Sequence, residues 1–217
     1  MASNLNGILG PFIGRVGTVT GYLRYGKPIM RSNTSSLRDR QTPRQLAQRE
    51  KIMVCNQFTK AFSRTGFFDK TFPAKGHGGS GYNRATSALM SRALTGVYPD
   101  LKLNYQELLV SKGMLPGAQN AVATLESNDT LRVRFDNNSQ YGIAAPDDKV
   151  ILVVYSFSAN HRVFSLNAGR RKDGEAVLQI PSNPVSFTGH QIETWIGFIN
   201  DDETEASDSV WTGRFEM

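Results

Sequence analysis

The clearest pattern of apolar and polar positions lies in the second half of the chain, where short apolar runs follow one another. Residues 130–135 alternate strictly between the two kinds of side chain, as a strand with one buried and one wet face requires. Residues 150–155 form the longest apolar run, and its length is that of a buried strand. Seven such runs are predicted as strands: 121–126, 130–135, 149–157, 162–166, 175–180, 191–200 and 207–212.

Turn-forming residues separate these runs, for example Asp173-Gly174 and Asn200-Asp201-Asp202. Seven short strands in about 95 residues are typical of an immunoglobulin-like or fibronectin type III-like β-sandwich. The chain has one cysteine and therefore no intramolecular disulfide, which favours the fibronectin-like version.

The first half has a different pattern, in which apolar positions recur with helical spacing. Thr42-Pro43-Arg44-Gln45 carries the signals of a helix start, and the helix is predicted to run to about Arg64 and to stop at Gly66. Ser80 is predicted to cap a second helix over 82–94. Residues 101–116 are predicted to form one more strand or helix.

Glycines punctuate the first thirty residues, and β-branched residues lie between them. This composition disfavours a helix and favours strands with tight turns. We expect 16–25 to pair with 29–32 across the turn Tyr25-Gly26-Lys27-Pro28. The whole chain is thus predicted to be α+β, with a glycine-rich β-hairpin and two helices before a seven-strand sandwich.

Charge divides the chain near Leu115-Pro116-Gly117. Residues 1–117 hold 17 Lys+Arg against 5 Asp+Glu, a net charge of +12, whereas residues 118–217 hold 8 against 14, a net charge of −6. We therefore predict a basic glycine-rich and helical domain over 1–117 and an acidic sandwich domain over 118–217. On this division, 118–217 is expected to fold alone and 1–117 to need a partner.

Motifs for catalysis or cofactors are incomplete wherever they occur. Gly21, Gly26 and Lys27 have the spacing of a phosphate-binding loop, but Pro28 stands where the metal-binding hydroxyl belongs. His77-Gly78-Gly79 resembles an esterase oxyanion loop, yet the sequence has no G-x-S-x-G element. We therefore predict a protein that is not an enzyme and has no cofactor, metal site or small-molecule substrate.

The remaining candidate is a surface for interaction with protein subunits or nucleic acid, since arginine and lysine alternate with aromatic residues near the N-terminus. Arginine beside aromatic side chains suits phosphate contact and base stacking, but it suits docking on an acidic protein surface equally well. A solvated basic face that binds nothing is the third alternative. The candidate residues are Gly14, Gly17, Gly21, Tyr22, Arg24, Tyr25, Lys27, Arg31, Arg38, Arg40 and Arg44.

Several short motifs resemble an uncharacterised Bacteroidetes family that carries only a domain-of-unknown-function label. They extend over nearly the whole chain and include Gly14-Arg15-Val16-Gly17-Thr18-Val19, Leu109-Val110-Ser111-Lys112-Gly113, Trp195-Ile196-Gly197-Phe198 and Ser209-Val210. The resemblance implies no established activity and no catalytic residue.

We expect a non-enzymatic structural or assembly protein whose N-terminal half contacts other copies of itself or other assembly proteins. A phage or prophage virion component or a surface assembly subunit fits this expectation, and a nucleic-acid-binding module is the alternative. The N-terminal ten residues lack the pattern of a signal peptide and no apolar stretch is long enough to span a membrane, so we expect synthesis in the cytoplasm without membrane insertion.

Overall fold

The chain divides into two compact units, Met1–Pro43 and Arg44–Met217. The computed structural model describes residues 3–4, 10–24, 26–33, 41–74, 79–127, 130–181, 187 and 189–217. The boundary expected near Leu115-Pro116-Gly117 does not separate compact units, because the helices after residue 43 share a hydrophobic core with the sandwich strands.

The N-terminal unit is an antiparallel sheet of short strands. Its strands are β1 (Ser3–Asn4), β2 (Phe12–Val16), β3 (Val19–Arg24) and β4 (Lys27–Ser32), which lie in that order. Strands β3 and β4 form a hairpin in which Arg24 is opposite Lys27. The strand predicted over 16–25 is interrupted at Gly17, whose φ of 57° is in the left-handed region that glycine adopts without strain.

The second unit begins with three helices, α1 (Pro43–Ala61), α2 (Phe67–Thr71) and α3 (Gly81–Arg92). The prediction of two helices is correct for α1 and α3, although α1 ends before Arg64. The predicted cap of α3 is confirmed, since the Ser80 side chain accepts a hydrogen bond from the Asn83 backbone N–H at 3.3 Å. The short α2 was missed because its phenylalanines have no helical period.

A mostly irregular segment links the helices to the sandwich. Two-residue strands β5 (Leu94–Thr95) and β6 (Lys102–Leu103) pair with each other, and no longer helix or strand is described over 104–116. Residues 110–115 instead lie alongside residues 206–209 and are joined to them by hydrogen bonds. The Ser209 hydroxyl accepts from the Val110 N–H at 2.9 Å, and the Leu115 N–H donates to the Ala206 carbonyl at 3.0 Å.

The sandwich has these strands among the described residues: β7 (Val122–Ser127), β8 (Thr130–Arg134), β9 (Lys149–Ser156), β10 (His161–Ser165), β11 (Glu175–Gln179), β12 (Gln191–Ile199) and β13 (Val210–Glu216). One sheet has the order β11-β8-β7 and the other β10-β9-β12-β13, with antiparallel pairing throughout. The largest shift from prediction is at β13, which begins three residues late.

The four-stranded sheet is buried on both faces. Leu152, Val154 and Ile196 point towards the three-stranded sheet and form the inner core with its side chains. Ile151, Val153, Tyr155 and Trp195 point the other way and pack against α1, α2 and α3. A strand covered on both faces needs apolar residues at successive positions, which explains the uninterrupted apolar run of β9.

Candidate interaction surface

Most of the described candidate residues lie in the N-terminal sheet, and its pairing puts the charged ones on one face. Thr20 of β3 is opposite both Arg15 of β2 and Arg31 of β4, while Arg24 is opposite Lys27. Because alternate residues of a strand share a face, Tyr22 lies on this face too. We call the surface formed by Arg15, Tyr22, Arg24, Lys27 and Arg31 the cationic face.

Local contacts order part of the cationic face. The Arg31 guanidinium carbon lies 5.9 Å from the centroid of the Tyr22 ring, within the range of a cation–π contact. The Arg15 Nε donates to the Gly17 carbonyl at 3.1 Å, and Thr20 donates to the Asn33 side chain at 2.9 Å. These contacts keep positive charge and an aromatic ring side by side.

The opposite face of the same sheet is apolar and partly exposed. Val16, Leu23 and Met30 are 56%, 46% and 68% exposed, respectively. We call the surface formed by Phe12, Val16, Val19, Leu23 and Met30 the apolar face. Large exposed apolar patches mark interaction sites in soluble proteins, so this face is a candidate for contact with another molecule.

Two glycines occupy the middle of the apolar face. Gly14 and Gly21 are opposite each other on β2 and β3, and Met30 of β4 is opposite Gly21. A Cβ at Gly21 would lie 2.2 Å from the Phe12 carbonyl oxygen, so only glycine fits there. The Phe12 carbonyl and ring thus occupy the space over Gly21, which is buried.

Of the remaining candidates the structure describes Arg44 alone, and Arg44 lies outside this sheet. Arg44 lies in the first turn of α1, in the second unit, while Tyr25, Arg38 and Arg40 lie outside the described residues. Arg15 was missed because the strand was expected to begin at Val16. The sequence signal that an earlier strand ends at this point was the glycine at position 17, because glycine favours the left-handed backbone found there.

The acidic cluster that follows β12 is an ion-pair network within the second unit. Glu203 pairs with Lys70 of α2 at 2.6 Å and with Lys149 of β9 at 3.4 Å, and Asp201 pairs with Arg170 at 3.0 Å. The neighbouring cations lower the pKa values of both carboxyl groups, with the hydrogen bonds from Arg170 to Asp201 and from Lys70 to Glu203 as the largest causes. The described part of the chain contains no group of side chains suited to a metal.

No described helix is long and apolar enough to cross a membrane. The chain is a mixed α+β protein built on a two-sheet antiparallel β-sandwich, with helices on one of its faces. Its residues 11–213 match the model of a family of unknown function, DUF6266, and the chain belongs to that family.

Comparisons with curated proteins and with solved structures supply no function for this chain. No curated protein matches the sequence. Among solved structures, the fn3 domain of human collagen alpha-1(XX) chain is 11% identical, with 47% of this chain and 84% of that chain covered and a TM-score of 0.32. The fn3 domain of human contactin 1 is also 11% identical, with 49% and 82% covered and a TM-score of 0.30.

Proposed function

We propose that this protein is a non-enzymatic assembly protein that binds a second copy of itself through the apolar face of its N-terminal sheet. The observation that carries the proposal is the exposure of Val16, Leu23 and Met30 on one face of a separate unit. Burial of apolar surface is the main driving force of association, and each of these side chains loses contact with water when the face is covered.

The size of the N-terminal sheet supports the same conclusion. Its strands have two to six residues, and sheets this small are stable only when a hydrophobic face is packed against something. Two copies of the apolar face can pack as two sheets at about 10 Å, the usual distance between stacked sheets. Both cationic faces then point away from the contact. A virion or a surface assembly would supply the high local concentration that such a contact uses.

Light scattering coupled to size-exclusion chromatography at micromolar concentration tests this function. We expect the full chain to be a dimer or larger, and Met30→Gln to shift it towards the monomer. The matched control is Met114→Gln, because Met114 is 72% exposed in the second unit. A wild-type chain that is strictly monomeric would contradict the proposal.

A second candidate function is nucleic-acid binding by the cationic face. The observation in its favour is the pairing that puts Arg15, Arg31 and Tyr22 on one side of the sheet. Cations that contact phosphates release counterions, while an aromatic ring can stack on a base. Because the two faces are opposite, binding of nucleic acid and self-association are compatible.

Fluorescence anisotropy with labelled DNA and RNA across a salt series distinguishes this candidate. Binding is expected to weaken steeply with salt, and Arg31→Gln is expected to reduce the slope of log K against log salt by about 0.7–0.9. Arg134→Gln, an exposed arginine of β8, is the control and should leave the slope unchanged. Absence of binding at about 50 mM salt removes the candidate, since electrostatic binding is then strong.

A further inference from the structure

A β-bulge at the edge of the four-stranded sheet brings the side chains of Trp211 and Arg214 together. Thr194 is opposite Gly213 and Trp195 is opposite Trp211, so Thr212 is the extra residue of β13. Gly213 has a φ of 143°, and the Thr194 hydroxyl bonds to the Thr212 hydroxyl at 2.8 Å. Bulges reorient side chains, and this one puts Trp211 and Arg214 on the same face although they are three positions apart.

Glu193 of β12 holds both side chains in place. Its carboxylate accepts from Trp211 Nε1 at 2.8 Å and from Arg214 Nε at 2.6 Å, so each oxygen has a partner. The Glu193 side chain is only 4% exposed, while that of Arg214 is 47% exposed. A buried carboxylate thus fixes an arginine whose other end faces solvent.

Tyr105 forms the facing wall of this site. Its ring packs on Phe157 at a centroid distance of 4.4 Å, and the Arg214 guanidinium carbon lies 5.4 Å from its centroid. The Tyr105 carbonyl accepts from Trp195 Nε1 at 3.2 Å, which ties this irregular segment to the buried core. The position of the ring is therefore fixed from two sides.

These residues border a cavity of about 540 Å³, which is within the size range of small-molecule sites. Its lining residues are Leu103, Asn104, Tyr105, Gln106, Trp211 and Arg214. Among the described residues, the two terminal nitrogens of Arg214 have no hydrogen-bond partner. The Asn104 carbonyl oxygen is used by the Gln106 N–H at 3.1 Å, which leaves its amide nitrogen as a donor.

The chemistry of this lining selects one class of ligand. A guanidinium edge and an amide N–H₂ donate to an anion, and the planar fork of arginine matches a carboxylate. The aromatic rings of Trp211 and Tyr105 offer flat apolar surface to a ring. We propose that this cavity binds a small carboxylate carried on a ring, either a sugar acid or an aromatic acid. The ligand is bound and released unchanged. Because the cavity lies in the second unit, the proposal is independent of self-association through the N-terminal sheet.

Tryptophan fluorescence and titration calorimetry on the full chain test this site, with glucuronate and benzoate as the two ring carboxylates and glucose as the neutral probe. The sequence has two tryptophans and Trp195 is fully buried, so a change in emission reports on Trp211. We expect saturable binding of at least one carboxylate below about 20 mM, as suits ligands of this size. Which probe binds identifies a sugar acid or an aromatic acid as the source.

The variants separate the arginine from general effects. Arg214→Gln should weaken carboxylate binding by about tenfold or more, and Arg214→Lys should restore part of the loss because it keeps the charge without the fork. Arg134→Gln is the control and should bind as the wild type does. The proposal is overturned if neither carboxylate binds the wild-type chain, if glucose binds equally well, or if Arg214→Gln binds undiminished.

Discussion

At the scale of single residues, Arg171 is a fully buried charge that joins several segments of the sandwich. Its Nε donates to Asp148 at 3.0 Å, its Nη2 donates to the Pro116 carbonyl at 3.0 Å, and its Nη1 donates to Asn138. The guanidinium carbon lies 3.7 Å from the centroid of the Phe198 ring. Burial lowers the pKa of Arg171, while Asp148 acts in the opposite direction.

Replacement of Arg171 by methionine should strongly destabilise the protein. Asp148 would be left as a buried carboxylate without its cation, which costs about 3–5 kcal/mol in comparable cases. Urea unfolding measures the loss. The adjacent Lys172 is the matched control, since it pairs with Asp147 at the surface and Lys172→Met should leave the stability unchanged within error. Equal effects of the two variants would contradict this role of Arg171.

Cys55 is expected to be chemically inert in the folded protein. Its thiol is fully buried on α1, and burial raises its pKa from 9.0 to about 11. A raised pKa means a smaller thiolate fraction at pH 8, by about a hundredfold, and the thiolate is the reactive form. Ellman's reagent should therefore label the single cysteine only after addition of denaturant. Labelling of the native protein as fast as of free glutathione would show that α1 opens readily.

At the scale of elements, the sandwich strands were predictable from the sequence, whereas the packing of the helices on the outer face of the four-stranded sheet was not. The seven sandwich strands follow from alternation and turn residues, as at 130–135, where Arg132 and Arg134 alternate with Leu131 and Val133. The uninterrupted run of β9 already implied burial on both faces. A single sequence does not state which element covers the second face, because helix–sheet packing depends on side chains far apart in the chain.

Residues 110–115 fasten the irregular segment to the residues that precede β13. Gly113 makes the closest approach, since a Cβ there would lie 2.0 Å from the Ala206 carbonyl oxygen. The Gly113 N–H also donates to the Asp208 side chain at 3.2 Å. The motifs at 109–113, 195–198 and 209–210 meet at this place, where a Cβ at Gly197 would lie 2.5 Å from the Ser111 hydroxyl.

Gly113→Ala should loosen this contact and destabilise the second unit. The added methyl group meets backbone atoms that have no alternative position, and overpacking of this kind costs about 1–3 kcal/mol. Thermal unfolding followed by circular dichroism should show a melting temperature lower by several degrees. Lys112→Ala is the control, because the Lys112 side chain is exposed and only its backbone N–H, bonded to the Thr71 carbonyl at 3.0 Å, takes part.

At the scale of the whole molecule, the change of charge near residue 117 does not coincide with a change of core. Net charge reports on the surface, whereas folding units are set by shared apolar contacts. Phe58 and Phe62 of α1 pack on Tyr155 with ring centroids 5.1 Å and 6.2 Å apart. The candidate residues of the N-terminal sheet were found from composition, but which of them share a face depended on the turn at Gly17.

Truncation distinguishes the two divisions of the chain. We expect residues 44–217 to be soluble and to unfold cooperatively, because the helices and both sheets remain together. Residues 118–217 alone would expose Ile151, Val153 and Trp195 on the outer face of the sheet, and we expect aggregation. Size-exclusion chromatography and thermal unfolding compare the two fragments. A 118–217 fragment that is monomeric and unfolds cooperatively would instead support the domain boundary predicted from the sequence near residue 117.

Because β9 is buried on both faces, it lacks the usual free-energy penalty against a shift of strand register. In a strand with one wet face, a shift of one residue exposes the apolar side chains and is penalised strongly. In the middle of β9, at residues 150–154, such a shift only exchanges aliphatic side chains between two apolar cores. Correct alignment then depends on its ends: Lys149 is tied to Asp201 and Glu203, and the Tyr155 hydroxyl is bonded to the Asn160 side chain at 2.8 Å. The register of β9 is thus specified by the polar groups at its two ends and not by its apolar interior.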